Sequence, residues 1–396
     1  MARNQGGYMG RILLIDLNQE TWAEYPWSGI AGGKYLANRI LLEHLQGTED
    51  SFSDENWLIL STGPLTGTGV PSSVRFEITA ISPKTGLPVS SNCGGDFGLH
   101  LKQAGWDALI LKGSCQSHRW IEIHDGTIQF HDASNLWGMG TSQCQSALST
   151  HHFPFSSLCI GPAGEDLLPS ATVICGDRAA GRVGLGAVLG WKKVKAITVS
   201  GSNTIPVFDL QTLNPEIRQL VQEIRSNPLT SDPKKVSSCP GCPIRCKKPE
   251  GEAIPFLNEL GIDSMDAANH LDWLKERHGI SFEASQKTPS GKRKHKAYHG
   301  ILHSLGLQDS EAVFQEYQAL TEAISALGLC IFALIPCLDA NAGNSYFPLS
   351  DALPRLVQWA TGRYLSGDDL LAFGKELLGT TQTLQNRFQK RNRKTE

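Results

Sequence analysis

The sequence predicts an α+β protein in which a β-rich domain of packed sheets is followed by a reduced, mainly helical region. Before about residue 205, short apolar runs end at turn residues, and apolar side chains alternate over residues 74–80 as in a half-buried strand. After Pro206, apolar residues recur at every third or fourth position, which is the period of a helix face. This change of period predicts a domain boundary near residue 205.

The elements expected within residues 1–205 are short. Strands are predicted at 11–16, 57–61, 74–80, 108–112 and 196–200, and helices at 33–45 and 98–105. A hairpin is predicted in which residues 121–123 pair with residues 128–130 across Asp125-Gly126, because Asp-Gly favours a tight two-residue turn.

The rest of the chain divides into three segments. They are a helical segment with a cysteine loop (206–284), a basic linker (285–300) and a helical C-terminal region (301–396). Helices are predicted at 210–225, at 256–278 with a break at Gly261, and from a cap near Ser310 to residue 327, before Gly328. A last helix is expected to begin at a capping box near Ser366, and residues 387–396 to form a frayed polar tail.

Composition excludes several classes of protein. The 396 residues are 40% hydrophobic with a net charge of -3, which suits two or three globular domains and gives no general support for nucleic-acid binding. The first residues lack an apolar signal region, and the most apolar stretch, 326–338, is too short to span a bilayer. Ten dispersed cysteines argue against a disulfide framework. We therefore expect a soluble cytoplasmic protein without membrane contact.

The basic segment at residues 286–299 permits two interpretations. It could bind an anionic partner, but it lacks aromatic residues and an apolar face. A solvated linker is the favoured interpretation.

The strongest chemical signal is a cysteine loop, Cys239-x2-Cys242-x3-Cys246, with Cys330 as a remote fourth candidate. Three ligands from one turn and one from elsewhere suit the four corners of a cubane iron–sulfur cluster. Structural zinc is the main alternative, although it more often uses two short Cys-x2-Cys pairs. Absence of any metal is the third interpretation. The other cysteines are expected to be buried small hydrophobic residues.

Two short sequences resemble each other. Residues 258–263 and residues 325–330 share the pattern polar-x-Leu-Gly-aliphatic followed by Asp263 or Cys330. Both lie where a predicted helix breaks at glycine, and such a break exposes backbone groups that a flat polar ring could use. Two ordinary helix ends are the alternative, but Cys330 favours a binding role.

Arginines set among glycines give the third signal. Arg178 and Arg182 lie in the glycine-rich stretch 161–190, and Arg75 and Asn92 with Gly94 form a similar set. Backbone N–H groups of glycine turns and the planar guanidinium donors of arginine suit a phosphate. Exposed turns without a ligand are the alternative.

The chain resembles the tungsten-pterin aldehyde:ferredoxin oxidoreductase family. The likeness covers residues 1 to about 205 nearly end to end and continues through the cysteine loop and both Leu-Gly sequences. Its motifs in the first region begin at Gly10 (GRILLIDL), Thr62 (TGPLTGT), Ser91 (SNCGGDFG), Leu101 (LKQAGWDA), Leu136 (LWG), Gly161 (GPAGE) and Arg178 (RAAGRVGLGAV).

The resemblance implies a tungsten- or molybdenum-bis-pterin beside a 4Fe–4S cluster. It implies that the cluster ligands are Cys239, Cys242, Cys246 and Cys330. It implies that pterin phosphates and their Mg²⁺ are held by Arg75, Asn92, Gly94, Arg178 and Ala179. The residues that would face the pterin rings are Gly261, Ile262, Asp263 and Leu329. The implied reaction oxidises a small aldehyde, or another oxo substrate, to an acid and passes electrons to ferredoxin or another carrier. The sequence allows a homo-oligomer.

The chain departs from the family pattern in two ways. Asn258 and Ser325 stand where acidic residues are usual, and only residues 264–324 separate the two Leu-Gly sequences, where a longer helical segment is usual. No catalytic acid or base can be assigned. An alternative function is therefore a non-catalytic paralogue that serves as an iron–sulfur electron-transfer or binding subunit.

Overall fold

A computed structural model describes residues 5–27, 32–149, 154–226, 239–243, 253–263, 275–276, 311–330 and 352–395. Within these ranges every strand lies between Ile12 and Ser200, and the longer elements that follow are helices. The predicted α+β class is confirmed. The further division of the chain near residues 205, 284 and 300 stays a prediction. None of the described helices combines the length and the hydropathy needed to cross a lipid bilayer.

The first sheet has six strands in the order β2-β1-β6-β3-β4-β5. Its strands are β1 (Ile12–Asp16), β2 (Thr21–Tyr25), β3 (Leu58–Thr62), β4 (Phe76–Ile81), β5 (Pro88–Cys93) and β6 (Ala108–Lys112). Helix α1 (Gly33–His44) precedes β3, and helix α2 (Phe97–Gln103) precedes β6. Strands β1 and β6 are parallel and the other neighbours are antiparallel.

The second sheet has the order β11-β10-β9-β12-β7-β8. Its strands are β7 (Arg119–His124), β8 (Thr127–Asp132), β9 (Ser156–Ile160), β10 (Val173–Cys175), β11 (Arg178–Ala180) and β12 (Val194–Ser200). Helix α3 (Thr141–Leu148) precedes β9, helix α4 (Pro162–Glu165) follows it, and helix α5 (Leu185–Trp191) precedes β12. Strands β7 and β12 are parallel and the other neighbours are antiparallel.

The two sheets repeat one topology. When β7–β12 are matched in order with β1–β6, the strand order and every strand direction agree. Gly63-Pro64 follows β3 as Gly161-Pro162 follows β9. Strands β5 and β11 are the corresponding edge strands, and Ser91 Oγ donates to Gly181 O at 3.0 Å between them. The domain is therefore built from two equivalent halves that meet at these edges.

The core lies between the two sheets. Leu60 and Ile78 of the first sheet share one apolar cluster with Leu158 and Ile197 of the second, and all four are fully buried. The predicted hairpin is confirmed in register, with residues 121 and 123 opposite 130 and 128. Strand β4 differs from expectation, because all six of its residues are buried and both faces are covered.

Five further helices are described after residue 205. They are α6 (Leu210–Ser226), α7 (Ala253–Leu260), α8 (Glu311–Ala326), α9 (Ala352–Thr361) and α10 (Gly367–Thr395). The capping box at the start of α10 is confirmed, because Ser366 N donates to Asp369 Oδ2 at 2.8 Å and Asp369 N donates to Ser366 Oγ at 3.1 Å. Of the predicted helix 256–278, the part after Asp263 lies almost wholly outside the described residues.

The expectation of a frayed tail from residue 387 is wrong. Helix α10 continues to Thr395, and Leu384 and Phe388 are buried on its inner face. Arg387 Nη1 donates to the carbonyls of Leu42 and Leu45 at 2.7 and 2.8 Å. The apolar spacing of this stretch was hidden in the sequence by the charged residues around it.

Replacing Arg387 with alanine is expected to lower the free energy of unfolding by about 1–3 kcal/mol, because two carbonyls at the end of α1 lose a charged donor. The control is Asn386→Ala, whose side chain on the same helix is exposed and bonds only within α10. Urea denaturation of both variants measures the difference. Equal stability of the two variants would contradict the anchoring role of Arg387.

Candidate cofactor site

The first Leu-Gly turn, residues 258–263, pairs with the second half of the β-rich domain. Gly261 has a φ of +71, a conformation that favours glycine. Its carbonyl accepts a hydrogen bond from Thr172 N at 2.7 Å, and Asp263 N donates to Ser170 O at 3.0 Å. Ile262 forms an antiparallel bridge with Ala171. The turn is therefore held by backbone pairing at its glycine and at the two residues that follow it.

The second Leu-Gly turn, residues 325–330, pairs with the first half in the same way. Gly328 has a φ of +85, and its carbonyl accepts from Arg75 N at 3.2 Å. Leu65 N donates to Leu327 O at 3.1 Å, and Cys330 N donates to Ser72 O at 2.9 Å. Each half of the domain therefore holds one turn.

Glycine is required where each turn meets its half. A Cβ on Gly63 would overlap the backbone of Leu327 and Gly328, and a Cβ on Gly161 would overlap the backbone of Leu260. We call these two contact points the turn seats. The two turn seats are equivalent, because each turn is matched to a glycine in the repeated Gly-Pro sequence.

Two arginines and a cysteine surround Gly94, between the two halves. A Cβ placed on Gly94 would lie 2.7 Å from Arg75 Nη1, 2.9 Å from Cys239 Sγ and 3.6 Å from Arg178 Cγ. Arg178 begins the edge strand β11 and also contacts Asp177 at 3.1 Å. We call Gly94 and these three side chains the arginine cradle. Its guanidinium groups and small residues suit an anionic ligand that approaches the backbone closely.

Three of the four predicted cluster ligands lie near Gly94 or Ser72: Cys239, Cys242 and Cys330. Cys242 N donates to Cys239 O at 3.0 Å, and Cys242 Sγ lies 3.0 Å from Ser72 Oγ. Cys330 is joined to the carbonyl of the same Ser72. Cys246 lies outside the described residues, and within the described ones no group of three or more Cys, His, Asp or Glu forms a metal site. The ligand set stays a prediction.

Burial and the nearby ionisable groups act in opposite directions on the pKa of Arg75. Burial would lower the pKa of this guanidinium, but the ionised forms of Cys330, Cys93, Cys239 and Glu77 would raise it, and the net direction is upward. Arg75 is therefore a fixed cation facing the cysteines. Cys93 and Cys175 lie beneath Gly94 and Gly95, and burial raises the pKa of Cys93 well above its usual value and that of Cys175 to about 11. Both of these stay protonated thiols at neutral pH.

A polar network fixes Asn92. Arg75 Nε donates to Asn92 Oδ1, and Asn92 Nδ2 donates to Glu77 Oε1 at 2.7 Å and to Ser325 Oγ at 2.9 Å. Ser325 Oγ donates to Glu77 Oε1. Burial raises the pKa of Glu77, while the hydrogen bonds from Ser325 and Asn92 and the charge of Lys34 act in the opposite direction. The Asn92 amide is fully used, and its backbone carbonyl accepts from Arg75 Nη2 at 3.4 Å.

The remaining predicted residues lie around the turns and the β11 edge. Ala179 is exposed on β11, and Asp263 Oδ2 would lie 2.9 Å from a Cβ on Gly181. Ile262 and Leu329 are buried at 0% and 2% exposure. A ring bound at the turns would therefore meet backbone groups at these two positions.

Sequence reasoning missed the side chains that support the site. Lys102 Nζ donates to Gly63 O at 2.7 Å beneath one seat, and burial lowers its pKa to about 8. Lys195 Nζ donates to Met139 O at 2.7 Å and pairs with Glu165 of α4 beside the other seat. A charged residue inside an otherwise apolar strand, such as Lys195 in β12 or Glu77 in β4, could have indicated these buried supporting contacts, because a buried charge requires a partner.

Gly94→Ala is expected to leave the fold intact and to reduce ligand retention at the arginine cradle. The added methyl displaces Arg75 and Cys239, at a cost of about 1–3 kcal/mol for a forced fit. Iron, tungsten, molybdenum and pterin contents of anaerobically purified protein measure the loss. The control is Gly379→Ala, where an added Cβ meets no atom within 4 Å. Unchanged contents in Gly94→Ala would contradict the assignment of this cradle.

Comparison with known proteins gives a family for the β-rich region. The family model of the aldehyde ferredoxin oxidoreductase N-terminal domain matches residues 12–201. These residues are therefore similar to that domain, and they include both sheets, Gly63 and Gly161 of the turn seats, and both arginines of the arginine cradle.

Curated relatives match a little more than half of this chain. Tungsten-containing aldehyde ferredoxin oxidoreductases are 37% identical in Thermococcus kodakarensis and 39% identical in Pyrococcus abyssi, each over 233 residues that cover 56% of this chain and 38% of the relative. The WOR-like subunit of an aliphatic sulfonate oxidoreductase from Pyrococcus furiosus is 31% identical over 244 residues, 55% of this chain and 39% of the relative. The match therefore spans about two fifths of each relative.

A solved structure shares the fold. A chain of the active site complex BamBC of benzoyl coenzyme A reductase, solved with 1,5-dienoyl-CoA, has a TM-score of 0.72 with this protein. The alignment covers 97% of this chain and 90% of that chain at 16% identity. This likeness shows the fold alone.

The residues present fit a phosphate-bearing pterin and a thiolate-bound cluster. The arginine cradle has room for a close anion only because Gly94 lacks a Cβ, and Cys239 borders the same space. Ser72 contacts both Cys242 and Cys330. Soft thiolates suit iron–sulfur centres, and paired guanidinium groups suit phosphates.

Proposed function

We propose that this protein is an aldehyde ferredoxin oxidoreductase-like enzyme that oxidises an aldehyde, or another oxo substrate, to a carboxylic acid. The observation that carries the proposal is the pairing of two Leu-Gly turns with equivalent halves of the β-rich domain, with the arginine cradle between the halves. An anionic cofactor with two similar moieties would find one turn and one half for each. The wider activity, substrates and partners of the relatives enter here as part of the proposal.

The cofactor in this proposal is a tungsten- or molybdenum-bis-pterin. Arg75 and Arg178 would neutralise its phosphates at the Gly94 backbone. Asn92 and Ala179 would lie beside their Mg²⁺ on the edge strands β5 and β11. The backbone around Gly261, Ile262 and Asp263, and around Leu329, would face the rings. Two cationic side chains and the edge-strand backbone support this assignment.

A 4Fe–4S cluster completes the proposed site. Cys239, Cys242, Cys246 and Cys330 would supply its thiolate ligands. The Ser72 contacts that join Cys242 and Cys330, and the place of Cys239 beside Arg75, support this set. Arg75 would hold positive charge between the phosphates and the cluster. Electrons would leave through the cluster to ferredoxin or another carrier.

When bound, the pterin-held metal would supply oxygen-atom transfer, so that an aldehyde and water give a carboxylic acid, two protons and two electrons. The chain itself would bind and orient the cofactor: the turn seats would hold the two Leu-Gly turns in place, and the arginine cradle would hold the phosphates. No acid or base among the described residues is assigned to the proton transfers. We therefore expect turnover with an artificial acceptor to be unselective and about 10²–10⁴-fold slower than with positioned acid–base groups.

A second function, a non-catalytic electron-transfer or binding subunit, is favoured by one observation. Only residues 264–324 separate the two turns. Such a subunit would keep the cluster, or the cluster and pterin, without substrate turnover.

The test is to purify the protein without oxygen, measure iron, tungsten, molybdenum and pterin, and then assay a panel of aldehydes. Pterin with tungsten or molybdenum and slow oxidation of several aldehydes is the result expected. Iron without pterin, tungsten or molybdenum would overturn the enzyme and support the electron-transfer subunit. Absence of iron as well would overturn both. Fast, selective turnover would show that a substrate pocket exists.

A further inference from the structure

We infer that Glu77 is a positioning residue that sets the charge environment of the cluster by acting through Asn92 on Arg75. The inference rests on the proposed 4Fe–4S cluster. Neither the predicted ligand set nor the arginine cradle includes Glu77. It lies in β4, only 3% exposed, one strand away from Asn92 and directly opposite it in register.

The direction of each hydrogen bond carries the argument. The Asn92 amide has one acceptor oxygen and one donor nitrogen with two hydrogens. Its oxygen receives Arg75 Nε, and both hydrogens of its nitrogen are used by Glu77 Oε1 and Ser325 Oγ. A reversed amide would place its oxygen against the Glu77 carboxyl oxygen and its N–H groups against the Arg75 donor. The carboxyl therefore selects one orientation of Asn92.

That orientation determines where the Arg75 charge points. With Nε held by Asn92 Oδ1, and with Nη2 donating to the backbone carbonyl of Asn92 at 3.4 Å, Nη1 is the terminal nitrogen that lies toward Gly94, 2.7 Å from the position of an added Cβ and beside Cys239. Without the acceptor at position 77 the amide can turn, and the constraint on Nε is lost. A cation beside an iron–sulfur cluster favours its reduced form and raises its reduction potential. Loss of the constraint should therefore lower the potential.

The sign of the change in the cluster's reduction potential distinguishes a positioning role of Glu77 from a direct effect of its negative charge. If Glu77 acted only as a nearby negative charge, removing it would raise the potential, whichever residue replaced it. Positioning predicts the opposite for Glu77→Met, which has no strong acceptor for the Asn92 N–H groups. Glu77→Gln keeps an oxygen that can accept from Asn92 and should not fall below the wild type. The two variants differ little in size.

The experiment is an electron-paramagnetic-resonance redox titration of the cluster in the full-length protein, purified without oxygen. We expect a lower midpoint potential in Glu77→Met and no lowering in Glu77→Gln. Arg75→Met should also lower the potential, and adding Glu77→Met to it should cause no further lowering, because the effect passes through Arg75. Glu322→Gln is the matched control, since that carboxylate pairs with Lys34 at 3.0 Å.

Three results would overturn the inference. They are an unchanged or raised potential in Glu77→Met, equal lowering in Glu77→Gln, and equal lowering by Glu77→Met with and without Arg75. If Glu77→Met does not fold, Asn92→Leu removes the same hydrogen bonds between Glu77, Asn92 and Arg75. An unshifted reduction potential in Asn92→Leu then overturns the inference. Absence of iron from the wild type would instead overturn the cluster proposal, which keeps the two failures distinct.

Discussion

Replacing Cys239 or Cys330 with serine is expected to remove most of the broad visible absorbance of the protein purified without oxygen. A serine hydroxyl is a much poorer ligand for iron than a thiolate, and a cluster that loses one of four ligands is seldom retained. Iron content should fall with the absorbance. Visible spectra and iron analysis of each variant, normalised to protein, give the measurement.

Cys115→Ala is the matched control for the cysteine variants. Cys115 is fully buried in the main core, and burial raises the pKa of its thiol to about 12, so it remains protonated at neutral pH. Its loss should leave the spectrum and the iron content unchanged. Full absorbance in Cys330→Ser would show that another residue is the fourth ligand.

Gly328→Ala is expected to destabilise the protein by about 3 kcal/mol or more, because a forced fit and a strained backbone add at one position. Its φ of +85 disfavours any side chain, and a Cβ would overlap Thr66 Oγ1 at the turn seat. The second Leu-Gly turn would have to move away from Gly63 and carry Cys330 with it. Chemical denaturation of the protein, followed by circular dichroism, measures the loss.

Gly86→Ala separates backbone strain from the clash. Gly86 also has a positive φ, +65, but an added Cβ would meet no atom within 4 Å. Its replacement should therefore cost only about 1 kcal/mol for the strained conformation. If both alanine variants lose the same stability, close contact at the seat contributes nothing.

Local signals in the sequence predicted local structure well. The alternation around the Asp125-Gly126 turn gave the hairpin register, and the Ser366 capping box gave the start of α10. The glycine at position 94 also lies beside Arg75 and Arg178, as the grouping of arginines with glycines suggested. These features depend on a few neighbouring residues or on unusual residue types, which a single sequence displays directly.

Features that depend on pairing between distant segments could not be predicted in this way. The repeat of the two sheets is a matter of strand order, and the residues of matching strands differ too much to reveal it. The role of Glu77 depends on Asn92 and Ser325, which are 15 and 248 positions away from it. The end of α10 was misjudged because Arg387 binds carbonyls of α1 more than 340 positions earlier.

The separate seats for the two Leu-Gly turns have a consequence for how such proteins can diverge. Because each turn is fixed to its own half, the stretch from residue 264 to 324 joins two points whose positions do not depend on it. Inserting or removing loop residues between two fixed ends changes the loop-closure free energy by only about 0.6 kcal/mol for each doubling of loop length. Whole segments can therefore be gained or lost between the two turns while the turn seats and the arginine cradle persist. Substrate choice, which depends on the segments that cover the site, could then evolve faster than the cofactor-binding surface itself.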